Sequence, residues 1–350
     1  MYNYLMDIHE RRIKDLQESL KREKLDAVVV SRRLEQDFLT GYNMDGYTML
    51  VSRHEAWAFL PKMLLDQFRS KVDFVTAVSP DNQLAAVAEK VKEAGLKKTV
   101  FEPETENYVR GKFWLGRGFA EKGGLTAGLR AVKRPEEAAL IRKSCRIASA
   151  AFKIIKPRIK AGRTELSVSR ELNDIMRGMG ASGPSFDLII AFGPNSALPH
   201  HTSSERRLKK NEAVLIDFGC VYNGYCSDIT RTFFYGKPDP EFKKVYALVD
   251  AAQKAGLKTV RAGAKAAAVD KACRAVIADA GYGQYFIHGT GHGIGLEIHE
   301  APWVNSKSKE TLKAGMTATV EPGVYLYGKF GVRIEDSVLV TKTGCEILTK

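Results

Sequence analysis

Five acidic and imidazole side chains in the C-terminal half of this 350-residue chain constrain its fold more than any other feature. They lie, in the order Asp, Asp, His, Glu, Glu, in the segments Ile216-Asp217-Phe218-Gly219, Ser227-Asp228-Ile229-Thr230-Arg231, Gly291-His292-Gly293-Ile294-Gly295, Val320-Glu321-Pro322-Gly323 and Arg333-Ile334-Glu335-Asp336. Four carboxylates that met without a counter-charge would repel one another and would be costly to bury. Two divalent cations would cancel that charge and leave coordination positions for water and substrate. If the fold brings these segments together, the chain is a metal-dependent hydrolase.

The length and the cysteine content bound the class of protein. A chain of 350 residues exceeds one typical hydrophobic core, which predicts two domains. The sequence contains no apolar run long enough to span a bilayer, and its N-terminal segment lacks the apolar core of a signal peptide. The five cysteines are odd in number and form no Cys-x-x-Cys pair. These features predict a cytoplasmic protein without a membrane partner.

The net charge of +13 allows two interpretations. A basic chain can bind nucleic acid or another anionic surface. Here, however, the lysines and arginines are spread along most of the chain and form no basic block interleaved with aromatic residues. We therefore favour a solvated basic surface and expect no nucleic-acid partner.

Residues 1–125 alternate between helical and strand patterns. Ile13, Leu16 and Leu20 place an apolar stripe on a helix, and Ala27–Val30 has the pattern of a short buried strand. This alternation predicts a small α/β domain.

Residues 126–350 have clusters of strand patterns flanked by pairs of helical patterns, which predicts an α+β domain with a curved sheet. Asp217 follows the apolar run Val214-Leu215-Ile216 within the predicted strand Ala213–Phe218, and Asp228 directly precedes the next predicted strand, Ile229–Phe234. Two antiparallel strands joined by a turn would bring these carboxylates side by side on one face.

The other three candidate ligands have distinctive surroundings. His292 lies among glycines that leave the backbone room to approach a ligand, and the segment lacks the Gly-Lys-Ser/Thr ending of a phosphate loop. Glu321 precedes a Pro-Gly turn, and Glu335 ends a strand predicted for Val332–Glu335, on the same side as Arg333. Buried glutamates are rare unless they are paired or metal-bound, which favours a ligand role.

Further histidines are predicted to surround this site. Five of the seven histidines fall in two short windows, at positions 200, 201, 288, 292 and 299. We expect His200, His288 and His299 to bind the scissile carbonyl or to stabilise the charge that develops on it.

Taken together, the motifs resemble the M24 metallopeptidases, and more closely their Xaa-Pro aminopeptidase and prolidase branch. The matching segments are Pro199-His200, the five segments above, His288-Gly289-Thr290 and His299-Glu300-Ala301-Pro302. Residues 1–125 resemble the creatinase-type N-terminal domain, and Leu39-Thr40-Gly41-Tyr42 falls at one of its motifs. The resemblance implies a pita-bread catalytic domain over residues 126–350, with a curved antiparallel sheet and two pseudo-symmetric helix pairs, in a homodimer.

The resemblance also implies the roles of the candidate residues. Asp217 would bind one metal, Asp228 and Glu335 would bridge both, and His292 and Glu321 would complete the second. Carboxylate-rich ligands favour Mn²⁺, and the histidine also admits Co²⁺, Fe²⁺ or Zn²⁺. The metals would activate water for attack on the carbonyl before proline, and Glu321 would shuttle the proton.

For the substrate, the resemblance implies that His200, His288 and His299 hold the carbonyl, the intermediate and the substrate ends. Arg333 would support Glu335 and bind substrate in the pocket. Proline-containing dipeptides and longer peptides both remain open as substrates, since a dipeptidase must anchor a free carboxylate and an aminopeptidase leaves the channel open. Two departures from the family pattern, Phe192 and His201, could change the substrate pocket.

Three other functions remain as alternatives. A methionyl aminopeptidase would use the same five ligands but would lack the N-terminal domain. A creatinase-type amidinohydrolase needs no metal and would be expected to lack some of the ligands. A non-catalytic pita-bread protein that binds nucleic acid or protein has only the basic charge in its favour, and the intact ligand set argues against it.

Overall fold

The computed structural model describes residues 2–350, with side chains from Ile8 onward. The helices are α1 Tyr2–Arg22, α2 Arg33–Thr40, α3 Lys62–Arg69, α4 Gln83–Glu93, α5 Tyr108–Leu115, α6 Leu125–Ala131, α7 Pro135–Ile155, α8 Glu165–Gly178, α9 Pro240–Thr259 and α10 Ala266–Asp279. The strands of the first part are β1 Ala27–Val30, β2 Thr48–Ser52, β3 Ala56–Phe59, β4 Thr76–Val78, β5 Thr99–Phe101 and β6 Ala120–Glu121. The later strands are β7 Gly183–Pro184, β8 Ile189–Phe192, β9 Glu212–Phe218, β10 Cys220–Tyr222, β11 Tyr225–Cys226, β12 Ile229–Tyr235, β13 Gly291–Gly293, β14 Glu300–Val304, β15 Thr317–Val320, β16 Gly323–Leu326, β17 Phe330–Arg333, β18 Asp336–Val340 and β19 Cys345–Ile347.

Contacts divide the chain into two compact units, one ending at Leu129 and the other beginning at Arg130. This division and the boundary predicted near residue 125 fall in the same helix, α6.

The first unit is built on a mixed sheet in the order β4-β3-β2-β1-β5-β6. The β-branched run of β1 pairs antiparallel with β2 and parallel with β5, and all four of its residues are buried. Trp114 and Phe101 pack in the core between this sheet and its helices. This architecture agrees with the predicted small α/β domain.

The second unit contains five small sheets, and two of them are each covered by a helix pair. Strands β8, β9 and β12 form an antiparallel sheet whose apolar side chains pack with those of α7 and α8. Strands β15 and β18 also pair antiparallel, and α9 and α10 contribute to the core that covers them. The two helix pairs correspond to the predicted pseudo-symmetric arrangement, and the unit has the predicted α+β class.

The strand predicted for Val332–Glu335 is wrong in its bounds, because β17 ends at Arg333. The reason is a change of hydrogen-bonding partner. Arg333 lies opposite Gly323 of β16, whereas the backbone N–H of Glu335 donates to the carbonyl oxygen of Thr230 at 3.2 Å. The chain passes between sheets here, and Glu335 lies in this passage.

Within the described residues, none of the helices is both long and apolar enough to cross a membrane.

Candidate metal centre and pocket

Three carboxylates meet between β9, β12 and the segment that joins β17 to β18. Asp217 lies on β9 opposite Thr230, and Asp228 directly precedes β12. Glu335 reaches the same place from the passage after β17. One oxygen from each of these three residues lies within 4.8 Å of the others. We call Asp217, Asp228 and Glu335 the acidic centre.

His292 and Glu321 lie beside the acidic centre. The Nε2 atom of His292 is 3.5 Å from Oδ2 of Asp228 and 3.3 Å from Oε1 of Glu321. Its Nδ1 atom is 3.1 Å from the carbonyl oxygen of Gly293, which can only accept a hydrogen bond, so Nδ1 carries a proton. In the neutral ring the lone pair is then on Nε2, which is the nitrogen that faces the carboxylates.

The glycines around His292 serve strand packing. A Cβ atom on Gly291 would lie 2.1 Å from the carbonyl oxygen of Thr319, and one on Gly293 would lie 2.1 Å from that of Ala301. Neighbouring backbone therefore fills the space into which a side chain at either position would project. The close approach holds the backbone on both sides of His292.

The electrostatics of the acidic centre favour positively charged ligands. Burial raises the pKa of Asp228 and Glu335 well above the ordinary carboxyl values, and the neighbouring carboxylates raise both further. Burial also raises the pKa of Asp217, although Arg333 opposes the shift. Each ionised carboxylate thus disfavours the ionisation of the others.

Carboxylate oxygens without hydrogen-bond partners indicate whether the acidic centre fits metal ions. Within the described chain, Oδ1 of Asp217 and Oε1 of Glu335 are buried and have no hydrogen-bond partner. Buried acceptors of this kind are rare and need an explanation. Carboxylate oxygens and one imidazole nitrogen are suitable ligands for divalent cations such as Mn²⁺. The residues present therefore fit a pair of such ions.

Glu321 differs from Asp217, Asp228 and Glu335 in the direction of its pKa shift, which is downward. Burial acts to raise its pKa, but the hydrogen bond and charge of His292 outweigh burial and lower the pKa to about 2. The pKa of His292 is raised in return, since Glu321 outweighs the opposing effect of burial. Glu321 is thus a carboxylate that stays ionised at neutral pH.

A chain of hydrogen bonds links the acidic centre to His288. Arg333 donates from Nη2 to Oδ2 of Asp217 at 2.5 Å and from Nη1 to the hydroxyl oxygen of Tyr325 at 2.7 Å. Tyr325 lies 2.8 Å from Nε2 of His288, whose Nδ1 faces the carbonyl oxygen of Gly289. Burial lowers the pKa of His288, which keeps the ring neutral and lets Nε2 accept from Tyr325.

Thr230 connects Arg333 with Glu335. Its hydroxyl accepts a hydrogen bond from Nε of Arg333 at 3.0 Å and donates to Oε2 of Glu335 at 2.7 Å. Arg333 therefore supports Glu335 through Thr230, while its direct ion pair is with Asp217.

All of the predicted site residues line one cavity of about 480 Å³. They are Asp217, Asp228, His292, Glu321, Glu335, His200, His288, His299 and Arg333. His200 and His299 are exposed to solvent, and His288 is half-buried. Burial and the charge of His292 lower the pKa of His299.

The two departures from the family pattern are absent from the described lining of this cavity. The side chain of Phe192 is fully buried in the core under α7 and α8. His201 places Nε2 2.8 Å from Oε2 of Glu165. Both side chains are directed into the interior, so any influence on the pocket would act through the residues that they support.

Glu165 is a residue that the sequence analysis missed as part of the site's support. Its buried carboxylate accepts hydrogen bonds from the backbone N–H of Phe192, from Asn195 and from Ser204, in addition to its contact with His201. These partners bracket the loop that carries His200. Glu165 directly follows Thr164, the N-cap of α8, and nothing in this local sequence indicates a distant partner.

A second group of charges lies next to the pocket; it contains two acids and two bases, and all but Glu297 are buried. Nζ of Lys133 is 2.6 Å from Oε1 of Glu300, and Arg130 donates to both Glu300 and Glu297. We call these four residues the balanced cluster. Because Glu300 follows His299 directly, the cluster anchors the start of β14.

Comparison with known proteins assigns the family. The model of metallopeptidase family M24 matches residues 139–342, and that of the creatinase/prolidase N-terminal domain matches residues 12–132. The chain belongs to metallopeptidase family M24. This membership confirms the resemblance, the smaller creatinase-type N-terminal domain and a hydrolase that depends on divalent metal ions.

Relatives of this M24 chain match it over nearly its full length. It is 33% identical to a protein named Xaa-Pro dipeptidase from Pyrococcus horikoshii, covering 99% of this chain and 98% of the relative. The solved structure of an Xaa-Pro dipeptidase from Bacillus anthracis is 36% identical, with a TM-score of 0.92 and 98% of each chain covered. That of an X-Pro aminopeptidase from Thermotoga maritima is 33% identical, with a TM-score of 0.84, covering 94% of this chain and 97% of that one.

Proposed function

We propose that this M24 peptidase hydrolyses the peptide bond that precedes proline in short peptides. The observation that carries the proposal is the convergence of three buried carboxylates with His292 and Glu321 in one cavity. The names of the similar proteins, which include dipeptidases and an aminopeptidase acting before proline, support the choice of bond.

In this proposal Asp217, Asp228, Glu335, His292 and Glu321 hold two divalent cations. When bound, such ions offset the carboxylate charge, polarise the scissile carbonyl and lower the pKa of water. We expect Mn²⁺, since most of the ligand atoms are carboxylate oxygens.

The protein's own groups move the proton. Glu321 is ionised at neutral pH and lines the cavity, so it can accept a proton from the attacking water. It returns that proton to the proline nitrogen as the carbon–nitrogen bond breaks. His200, His288 and His299 line the same cavity and are placed to bind the scissile carbonyl and the ends of the substrate.

The test is hydrolysis by chelator-treated protein before and after addition of Mn²⁺. We expect restored cleavage of Ala-Pro-Ala and no cleavage of Ala-Ala-Ala. Equal cleavage of both would overturn the specificity for proline, and release of methionine from Met-Ala-Ala alone would indicate a methionyl aminopeptidase. No cleavage by folded protein with Mn²⁺, Co²⁺, Fe²⁺ or Zn²⁺ would overturn the enzymatic proposal.

We also infer a homodimer in the cytoplasm. The family resemblance supports the dimer, and the cysteines support a reducing compartment because all five are unpaired and four of them are buried. A monomeric mass at micromolar concentration in solution would contradict the dimer.

A further inference from the structure

The segment between α10 and β13 that carries His288 belongs to no strand. Residues 286–290 lie outside the helices and strands of the structure. Such a segment is held in place by the groups that its backbone atoms bond to, because backbone carbonyls need partners. The side chain that follows Phe286, that of Ile287, is 66% exposed and does not anchor His288 by packing. The position of the His288 imidazole in the cavity therefore depends on the partners of this backbone.

Arg274 on α10 is the partner of two carbonyl oxygens in this segment. Its Nη1 donates to the carbonyl oxygen of Phe286 at 2.8 Å, and its Nη2 donates to that of His288 at 2.7 Å. The guanidinium carbon also lies 4.2 Å from the centre of the Phe286 ring. Because the donors of a guanidinium have fixed directions in one plane, they determine both the distance and the orientation of the bonded segment. Arg274 therefore fixes the backbone from which the imidazole of His288 reaches the cavity.

Asp270, one turn earlier on α10, orients Arg274 and bonds to the same segment. Its Oδ2 accepts from Nε of Arg274 at 3.1 Å, and its Oδ1 accepts from Nη2 at 3.0 Å. Oδ1 also accepts from the backbone N–H and the hydroxyl of Thr290 at 3.2 and 2.9 Å. The carbonyl oxygen of Thr290 accepts in turn from the backbone N–H of Glu321 at 2.8 Å. The pair thus connects the segment of His288 with the backbone of Glu321.

The location of this pair differs from that of an ion pair on a helix surface. Asp270 is 1% exposed, whereas exposed pairs one helical turn apart contribute little to stability. Outside α10, the two side chains donate to or accept from Phe286, His288 and Thr290. Neither Asp270 nor Arg274 is among the described residues that line the cavity. An effect of the pair on substrate must therefore pass through the segment that it holds.

We propose that Asp270 and Arg274 are positioning residues for the reaction: Arg274 sets the place of His288 relative to Glu321, and Asp270 fixes Arg274. This inference rests on the proposed cleavage before proline, in which His288 binds substrate and Glu321 moves the proton. These two groups must act on the same bond at the same time. A displacement of about 1 Å in such a group can lower the rate by about 100-fold.

The experiment measures kcat and KM for Ala-Pro-Ala in Mn²⁺-loaded Arg274→Ala and Arg274→Lys. We expect kcat to fall about 10- to 100-fold in Arg274→Ala, the range found for groups that support active-site ligands. KM should change less than about 3-fold, since an interaction that matters in the transition state lowers kcat. Arg274→Lys should lose nearly as much, because lysine keeps the charge but cannot donate to a carboxylate and two carbonyls in one plane.

Arg53→Ala is the matched control. Arg53 pairs with Asp26 at 3.2 Å, donates to the carbonyl oxygen of Leu25 and is 34% exposed, close to the 32% of Arg274. It lies in the first unit, which contributes no residue to the described lining of the cavity. We expect kcat in Arg53→Ala to stay within about 2-fold of the wild type, as for additive changes at distant sites. Full recovery of kcat by Arg274→Lys would overturn the positioning role, because charge alone would then suffice.

A double-mutant cycle with His288→Ala tests whether Arg274 acts through His288. Once the imidazole is absent, Arg274→Ala should lower kcat by less than about 2-fold more, since residues that act through one another are not additive. A further loss as large as in the wild-type background would overturn the proposal, because Arg274 would then act by another route.

Amide hydrogen exchange of residues 286–290, followed by mass spectrometry without substrate, gives a measurement independent of activity. Exchange should be faster in Arg274→Ala and unchanged in Arg53→Ala, and exchange in the rest of the chain reports whether each variant is folded. Unchanged exchange in folded Arg274→Ala, or faster exchange with unchanged kcat, would overturn the proposal. If the wild type cleaves no peptide before proline, the proposed function fails instead, and the exchange rates still decide whether Arg274 holds the segment.

Discussion

The second unit buries two groups of charges that differ in how their carboxylates are neutralised. In the balanced cluster, Glu300 and Glu297 face Lys133 and Arg130, two acids against two bases. In the acidic centre, Asp217 alone has an ion pair with Arg333, and Asp228 and Glu335 share their surroundings with other acids. In the balanced cluster the acids are neutralised by bases of the same chain, whereas the acidic centre needs bound cations to neutralise its charge.

The difference distinguishes charges that are buried to support the fold from charges that are buried to bind metal. A carboxylate that is buried with a fixed cation supports the fold in any condition that keeps both groups ionised. A carboxylate that is buried among other acids destabilises the metal-free protein and provides binding energy for metal. Removing one charge should therefore have opposite consequences in the two places.

The largest effect on stability is expected in the balanced cluster. Lys133→Met leaves Oε1 of Glu300 without its cation in a site where the lysine side chain is 1% exposed. We expect a loss of about 3 kcal/mol or more in the free energy of unfolding, equal with chelator and with Mn²⁺. Urea denaturation measures it, with Lys254→Met on an exposed pair as the control. A loss that Mn²⁺ abolishes would contradict the structural role.

The largest effect on catalysis is expected in the acidic centre. Glu335→Gln replaces a carboxylate oxygen that has no protein partner and should lower kcat more than about 100-fold, since even supporting groups of metal ligands contribute up to that factor. Turnover of Ala-Pro-Ala and the metal content of the protein are the measurements. Glu241→Gln, at a 42% exposed carboxylate, is the matched control. Near-normal turnover with two bound metals would remove Glu335 from the centre.

The same comparison predicts a pH dependence for the metal-free protein. Burial and neighbouring acids raise the pKa of Asp228 above its ordinary value of 3.8, so the folded form binds more protons than the unfolded form as the pH rises past 4. Stability therefore falls with rising pH in this range. We expect Asp228→Asn to match the wild type near pH 4 and to exceed its free energy of unfolding by at least about 1 kcal/mol at pH 8.

That comparison is made by urea denaturation in the presence of chelator. Addition of Mn²⁺ should reverse the order at pH 8, because only the wild-type carboxylate can bind metal fully. A constant difference between the two proteins from pH 4 to pH 8 would contradict the raised pKa.

The smallest effect on catalysis is expected from the contact between His201 and Glu165, which supports the loop that carries His200. His201→Ala removes one hydrogen bond to Glu165 and should lower kcat/KM for Ala-Pro-Ala by about 2- to 10-fold through the displacement of His200. His201→Gln, which can still donate to Glu165, should recover most of this loss. If both variants retain full activity, Glu165 and His201 do not position His200.

Local patterns in the sequence predicted the helix pairs, the strands that carry Asp217 and precede or follow Asp228, and the residues that meet in the cavity. Asp217 and Asp228 were predictable because each lies at the end of an apolar strand pattern in antiparallel pairing. The change of hydrogen-bonding partner after Arg333 was not predictable, because the alternation of residues along a strand does not indicate which neighbouring strand pairs with it. The Glu165 contact and the balanced cluster join residues distant in sequence, where only tertiary packing decides the partner.

The origin of the acidic centre has a consequence for how the protein is made. Asp217 and Asp228 belong to the sheet packed by α7 and α8, whereas Glu335 follows β17 and is synthesised after both helix pairs. During synthesis the early carboxylates exist before their partner has left the ribosome. Binding of metal by the full centre must therefore be a late event, and it joins residues that are far apart in the order of synthesis.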